Sequence, residues 1–148
     1  MLELIQKHKI TILTGLPTGY RAMMKFPKFK DYDTSSIRLY TSGGDALGSE
    51  TLSAWKKLTG LPIWEGLGGT EMLHLVTSNT MNPEPMPDSI GKALPGVKCK
   101  VVDPEWNDCK PDQVGSMVIQ GPSGSLYWKP YENDNKLLRS QKKGVVNG

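Results

Sequence analysis

Between Ile37 and Glu71 the chain passes twice from a short apolar stretch into glycine. Ile37-Arg38-Leu39-Tyr40-Thr41 reads as a short buried strand, followed directly by Ser42-Gly43-Gly44-Asp45-Ala46-Leu47. Ser49-Glu50-Thr51-Leu52 then opens a helical pattern in which Leu52, Trp55 and Leu58 share one face. Pro62-Ile63-Trp64 is a second strand, and it delivers the chain into Glu65-Gly66-Leu67-Gly68-Gly69-Thr70-Glu71. Strand, glycine turn, helix, strand, glycine turn is the pattern of a parallel α/β unit. Ligands of such sheets settle beyond the carboxyl ends of the strands. Both glycine turns are therefore expected to open on one edge of the sheet.

The second turn carries its own chemistry. Glycine allows positive φ and a close approach of backbone to a ligand. Thr70 can donate a hydrogen bond to an anionic oxygen, and an ionised Glu71 can hold a hard cation beside it. An anion-and-metal site, occupied by a phosphate ester with magnesium, is one reading. The other is a glycine-rich turn before a helix, with Thr70 as its cap and Glu71 solvated in the first turn.

Thr41 to Leu47 and Glu65-Gly66-Leu67-Gly68-Gly69-Thr70-Glu71-Met72-Leu73-His74 together resemble the adenylate-forming enzymes: acyl- and aryl-CoA ligases, luciferase and their relatives. Gly91-Lys92-Ala93-Leu94-Pro95-Gly96 resembles the glycine-proline opening of a family strand. Gly115 to Pro122, with Tyr127-Trp128 beyond, resembles its later β-rich motif. The form Gly-Gly-Thr-Glu-Met-Leu-His is most similar to benzoate-type CoA ligases. The resemblance implies an enzyme that joins a carboxylic acid to the α-phosphate of ATP and passes the acyl group to CoA, with Mg2+ as counter-ion. It also implies the residue roles. Thr70 and Glu71 would be catalytic, Thr70 on a phosphate oxygen and Glu71 as magnesium ligand. Gly43 and Gly44 would leave room for nucleotide and acyl group, and Asp45 and Ala46 would lie against adenine. Glu65 would meet the adenine amino group, and Gly66, Leu67 and Gly68 would complete the nucleotide side. Many relatives have tyrosine at the position of Leu67, where an aliphatic side chain can still pack on the base. Gly69 and His74 would line the acid pocket, and a lone histidine such as His74 can equally be structural. Leu16-Pro17-Thr18 resembles a pocket wall, although Pro17 serves as a strand terminator too.

At 148 residues the chain is far shorter than these enzymes. It is expected to be an internal fragment of the large N-terminal domain, inactive alone and prone to self-association through its cut surfaces. The alternative is a non-catalytic nucleotide-binding or interaction module of the same descent. Residues 1–80 read as the α/β portion, 81–90 as a proline-rich connector and 91–148 as a β-rich subdomain portion. In the first portion, Met1 to Lys9 reads as part of an amphipathic helix and Ile10 to Thr14 as a strand. Thr18 is expected to cap a helix bearing Tyr20, Met23 and Met24, and Phe26 to Ser36 to form a loop. Val97 to Val101 alternates apolar and polar, and with Val114 to Gln120 it predicts an antiparallel hairpin around the turn Asp103 to Asp112. Tyr131 to Leu138 reads as a short helix. Met72, Leu73, Leu75, Trp55 and Trp64 are expected in the core.

Composition narrows the partners. A net charge of +3 with scattered lysines, and no aromatics interleaved with the basic stretch Arg139 to Lys143, argues against nucleic acid. With 37% hydrophobic residues and no apolar run of the roughly 20 residues a membrane helix needs, no membrane partner is expected. Nothing at the N-terminus resembles a secretory signal, so the reading is cytoplasmic, with Cys99 and Cys109 as reduced thiols.

Overall fold

The computed structural model describes residues 1–79, 84–121 and 145–147. The helix expected over Tyr131 to Leu138 and the Tyr127-Trp128 pair lie outside the described residues. Two compact units divide the chain: Met1–Leu67 with Ser78–Lys92, and Gly68–Thr77 with Ala93–Gly148.

The first unit is the expected parallel α/β assembly. Its elements run α1 (Leu2–His8), β1 (Ile12–Gly15), α2 (Pro17–Lys25), β2 (Leu39–Ser42), α3 (Ser49–Thr59) and β3 (Ile63–Glu65). The strands pair in parallel in the order β1-β2-β3. Register aligns them in rows. Leu13, Tyr40 and Ile63 form one row, and all three are buried. Thr14, Thr41 and Trp64 form the next row, on the opposite face because side chains alternate along a strand. There the Thr14 and Thr41 hydroxyls lie 2.9 Å apart in a hydrogen bond. That face is only partly covered: Ile12 and Thr14 are exposed, and Leu39, Thr41 and Trp64 are half-buried.

The helices supply the other half of the core. Leu2 and Ile5 of α1, Tyr20 of α2 and Trp55 of α3 join Leu13, Tyr40 and Ile63 in one apolar cluster. Trp55 is its hub, meeting Tyr20, Tyr40 and Phe29 edge-on at centroid distances of 4.8, 5.1 and 5.8 Å. Edge-to-face contacts of this kind add to the burial of the rings. Leu52 and Leu58 of the same helix, partly buried, pack against the cluster at its periphery. Tyr20 also has a polar task. Its hydroxyl, buried under the sheet, donates a shared hydrogen bond to the carbonyls of Leu13 (3.0 Å) and Thr41 (2.8 Å), tying α2 to both β1 and β2. Burial, with Tyr40 nearby, holds this phenol well above its ordinary pKa, so the proton stays in place.

One helix start differs from expectation, and another, α3 at Ser49, falls where the pattern put it. Thr18 does not cap α2; the helix begins at Pro17, with extended Leu16 as N-cap and no side-chain cap bond. A proline in the first turn has no N–H to satisfy and is preset for helical φ, which moves the start upstream of the threonine. Helix α3 follows Gly48, which has no side chain to cap it. Its first N–H, at Ser49, instead donates to the Asp88 carboxylate at 3.1 Å, a cap supplied from far along the chain. Gly60 closes α3 in the left-handed conformation. The loop expected between Phe26 and Ser36 contains one 3-10 turn, Phe29–Asp31, whose Phe29 is buried.

In the second unit, β6 (Lys98–Val102) and β7 (Ser116–Gln120) form the expected antiparallel hairpin, from Lys98 opposite Gln120 to Val102 opposite Ser116. Strand β8 (Val145–Asn147) pairs antiparallel with the far side of β7. Both thiols in this unit, Cys99 and Cys109, are free. At Gly115 a Cβ would come within 2.5 Å of the Val102 carbonyl oxygen and 2.6 Å of the Cys109 sulfur, so the hairpin's return needs glycine there. Short strands β4 (Thr77–Ser78) and β5 (Lys92–Ala93) make a further two-stranded sheet. Of the residues expected in the core, Met72 is buried, but Leu73 and Leu75 are 69% and 38% exposed. The segment is a single 3-10 turn, Thr70–Met72, stopped by left-handed Leu73 (φ 68°), so no helical face continues to bury them. No helix among the described residues is long and apolar enough to cross a membrane.

The Tyr20 bridge yields a stability prediction. Tyr20→Phe keeps the ring contacts but removes the shared donor, and is expected to cost about 1–2 kcal/mol, read as a lower urea midpoint with unchanged slope.

Candidate functional site

The carboxyl ends of the three parallel strands stop level with one another. Gly15, Ser42 and Glu65 form the last row of the sheet. The ladder continues one step further, where Gly66 N–H donates to the Ser42 carbonyl at 3.1 Å. Gly43 and Gly66 thus leave neighbouring strands at the same level, which brings the first glycine turn and the start of the second to one rim of this unit. Ser42 itself is buried, and its hydroxyl has no hydrogen-bond partner among the described residues.

The turn Gly43 to Gly48 is held by side chains. Gly44 adopts φ +84°, and a Cβ there would meet Leu16 Cδ2 at 2.9 Å. Backbone without a side chain therefore faces the exposed Leu16 at the end of β1. Asp45 is exposed, and its carboxylate accepts the Ala46 N–H at 2.8 Å. Glu65, half-buried, accepts the Leu47 N–H on Oε1 at 2.8 Å. From α2, Arg21 donates Nη2–H to the carbonyls of Leu47 (2.9 Å) and Ala46 (3.3 Å), and Nε–H to the Thr51 hydroxyl (3.2 Å). Leu47 is 1% exposed and belongs to the core, so its side chain anchors what its backbone presents. Sequence reasoning singled out neither Arg21 nor Leu47. The available signal was slight: Arg21 is the one charge between Pro17 and Met24.

The remaining predicted residues, Gly68, Gly69, Thr70, Glu71 and His74, belong to the second unit. Gly68 bridges to Leu75 in antiparallel fashion, and a Cβ on it would strike the His74 carbonyl oxygen at 2.8 Å. Glycine is thus required there by the fold of the turn itself. Gly69 precedes the 3-10 turn as its extended N-cap, and no side chain caps that turn. Thr70 is exposed, and its hydroxyl makes no hydrogen bond among the described residues. Glu71 occupies the middle of the same turn. His74 is exposed, with its Nδ1 hydrogen-bonded to the Leu75 carbonyl.

This order of turns has counterparts among known proteins. Residues 1–128 match the family described as AMP-binding enzyme. The chain belongs to that family. Among curated relatives, the long-chain-fatty-acid–CoA ligase of Escherichia coli O157:H7 is 30% identical over 95% of this chain and 25% of its own length. Among solved structures, the anthranilate CoA ligase AuaEII in complex with anthranoyl-AMP superposes with a TM-score of 0.87 and 31% identity, over 99% of this chain and 28% of that one. A benzoate CoA ligase from Burkholderia xenovorans LB400 superposes with a TM-score of 0.84 and 27% identity, over 99% and 29%. The chain therefore spans about a quarter of the length of the relatives it matches. Its mixed α/β fold corresponds to part of the N-terminal domain of adenylate-forming enzymes.

The residues present suit a nucleotide with a magnesium counter-ion. In the first unit Gly44 leaves bare backbone at the rim; in the second, the exposed Thr70 hydroxyl makes no hydrogen bond among the described residues. Among the described residues, no group of three or more His, Cys, Asp or Glu side chains comes together. Magnesium needs no such cage: it keeps several waters and binds through one or two carboxylates plus phosphate oxygens.

The rim geometry predicts the behaviour of Gly44→Ala. A side chain at φ +84° is strained, and its Cβ would press on Leu16. Left-handed backbone costs an L-residue about 1–2 kcal/mol, so a loss of that size is expected in urea denaturation. Adding Leu16→Ala should relieve the contact and recover only part of the loss, because the backbone strain stays.

Proposed function

We propose that this chain is the nucleotide-side portion of an AMP-forming acid–CoA ligase whose acid is aromatic, of the benzoate type. The observation that carries the reading is the level ending of β2 and β3, with Gly66 N–H on the Ser42 carbonyl and Leu47 N–H on Glu65. Gly43, Gly44, Asp45 and Ala46 would form one wall for adenine, and Glu65, Gly66 and Leu67 its neighbour. The Glu65 oxygen not engaged by Leu47 is the acceptor for the adenine amino group. Thr70 would donate to a phosphate oxygen and Glu71 would ligate magnesium. Bound magnesium supplies positive charge where carboxylate and phosphate oxygens must approach. Gly69 and His74 would border the acid, and CoA would receive the acyl group. An aromatic acid is supported by the Gly-Gly-Thr-Glu-Met-Leu-His form and by the fit to anthranilate and benzoate ligases; the long-chain relative marks the competing class.

Joining two anions requires fixed charge and hydrogen-bond donors placed where negative charge develops. A chain spanning a quarter of its relatives offers only some of these groups. We therefore expect no benzoyl-CoA from benzoate, ATP, magnesium and CoA with this protein alone, and steady thioester formation by the pure chain would overturn that expectation.

Binding is the sharper test. Calorimetric titration with AMP and with magnesium-ATP should show saturable one-site binding. Thr70→Ala should weaken magnesium-ATP by about ten-fold or more, the size of a lost hydrogen bond to a charged group. Glu71→Ala should remove the magnesium dependence and leave AMP affinity nearly unchanged. A benzoyl sulfamoyl-adenosine should bind more tightly than its hexadecanoyl counterpart. Absence of AMP binding by the wild-type chain would end the nucleotide reading, and preference for the hexadecanoyl compound would end the aromatic one.

A further inference from the structure

We infer that Arg21 and Glu65 act as a pair of positioning residues, gripping the peptide group between Ala46 and Leu47 from its two ends and so setting the wall offered to adenine; this rests on the nucleotide reading above. The carbonyl of that peptide accepts from Arg21 Nη2, and its N–H donates to Glu65 Oε1. A cation sits at the negative end of the peptide dipole and a carboxylate at the positive end. Both hydrogen bonds are charge-assisted, and each polarises the group in the sense that strengthens the other.

The turn depends on this grip because it has no ladder or helix of its own. Ala46 N–H goes to Asp45, Ala46 and Leu47 carbonyls go to Arg21, and Leu47 N–H goes to Glu65. Every backbone polar group of Ala46 and Leu47 is thus satisfied by a side chain, where the usual partners are backbone. Arg21 brings three donor contacts from α2 and makes no ion pair among the described residues. Its charge is therefore spent on neutral carbonyl and hydroxyl oxygens of α3 and of the turn before it. A fork of fixed geometry suits that task, and lysine lacks one. Because Leu47 is buried in the core, a displaced peptide at this point cannot be absorbed by moving the side chain. The displacement would appear at Ala46 and Asp45 instead, where adenine is proposed to lie.

The test uses the 148-residue chain with two readouts. Amide exchange at Leu47, followed by NMR, reads the grip without any ligand. AMP titration reads its consequence. Arg21→Ala and Glu65→Gln should each raise the Leu47 exchange rate and the AMP dissociation constant by about ten-fold. The double variant should fall well short of the hundred-fold expected for independent sites, since the two contacts share one peptide group. Arg21→Lys should recover part of both effects. Phe29→Leu, a core change in the 3-10 turn Phe29–Asp31 that removes none of the hydrogen bonds to Ala46 or Leu47, serves as the stability control: it should lower the melting temperature without singling out Leu47 or changing AMP affinity. If Arg21→Ala leaves Leu47 exchange no faster than Phe29→Leu does, or if the double variant is fully multiplicative, the paired grip is wrong. If Leu47 responds as expected but the wild-type chain binds no AMP, the grip stands as a loop anchor, and the adenine role falls with the nucleotide reading.

Discussion

Parallel pairing in strict register is the constraint from which the rest of the first unit follows. With Leu13, Tyr40 and Ile63 locked in one row, their side chains must share a face, and α1, α2 and α3 have one surface to cover. A slip of one residue in β2 would turn Tyr40 away from Trp55 and expose the ring that holds the aromatic cluster together. The same register sets Gly15, Ser42 and Glu65 level at the carboxyl end. Tyr20 reinforces it from below, since its hydroxyl reaches carbonyls on both β1 and β2. Core and rim are thus consequences of one alignment.

At the rim the source of order changes. Within the strands, backbone bonds to backbone; beyond Ser42 the turn relies on Asp45, Glu65 and Arg21 to satisfy its N–H and C=O groups. Charged side chains make strong hydrogen bonds when fixed, and they hold backbone where no regular element can. Glycine does the complementary work at Gly44, where a Cβ would meet Leu16, keeping the backbone bare at that point. The adenine wall proposed for this rim draws on both properties.

Family membership and local geometry meet at these residues without being the same kind of knowledge. The family match covers residues 1–128 and places the chain among the AMP-binding enzymes. It does not say why Gly68 is glycine, whereas the 2.8 Å approach of a would-be Cβ to the His74 carbonyl does. Nor does it say what holds Leu47, which α2 and the end of β3 grip from two sides.

Much of this was legible along the chain. Strand and helix periodicity located β2, α3 and β3 to within a residue or two, and alternation located the β6–β7 hairpin. Glycine pairs marked both turns. Those signals are local: they depend on near neighbours, whose spacing a sequence displays. The misreadings came where one local rule displaced another, as when Pro17 preempted Thr18 at the start of α2, or left-handed Leu73 ended the turn at Met72. What the sequence by itself determined, then, was the order of elements, the turns and the family. Only the tertiary structure decided that Asp88 caps α3 and that Arg21 and Glu65 share one peptide group. Hydrogen bonds across long separations leave no periodic trace, because any exposed carboxylate or guanidinium reads alike until folding selects its partner.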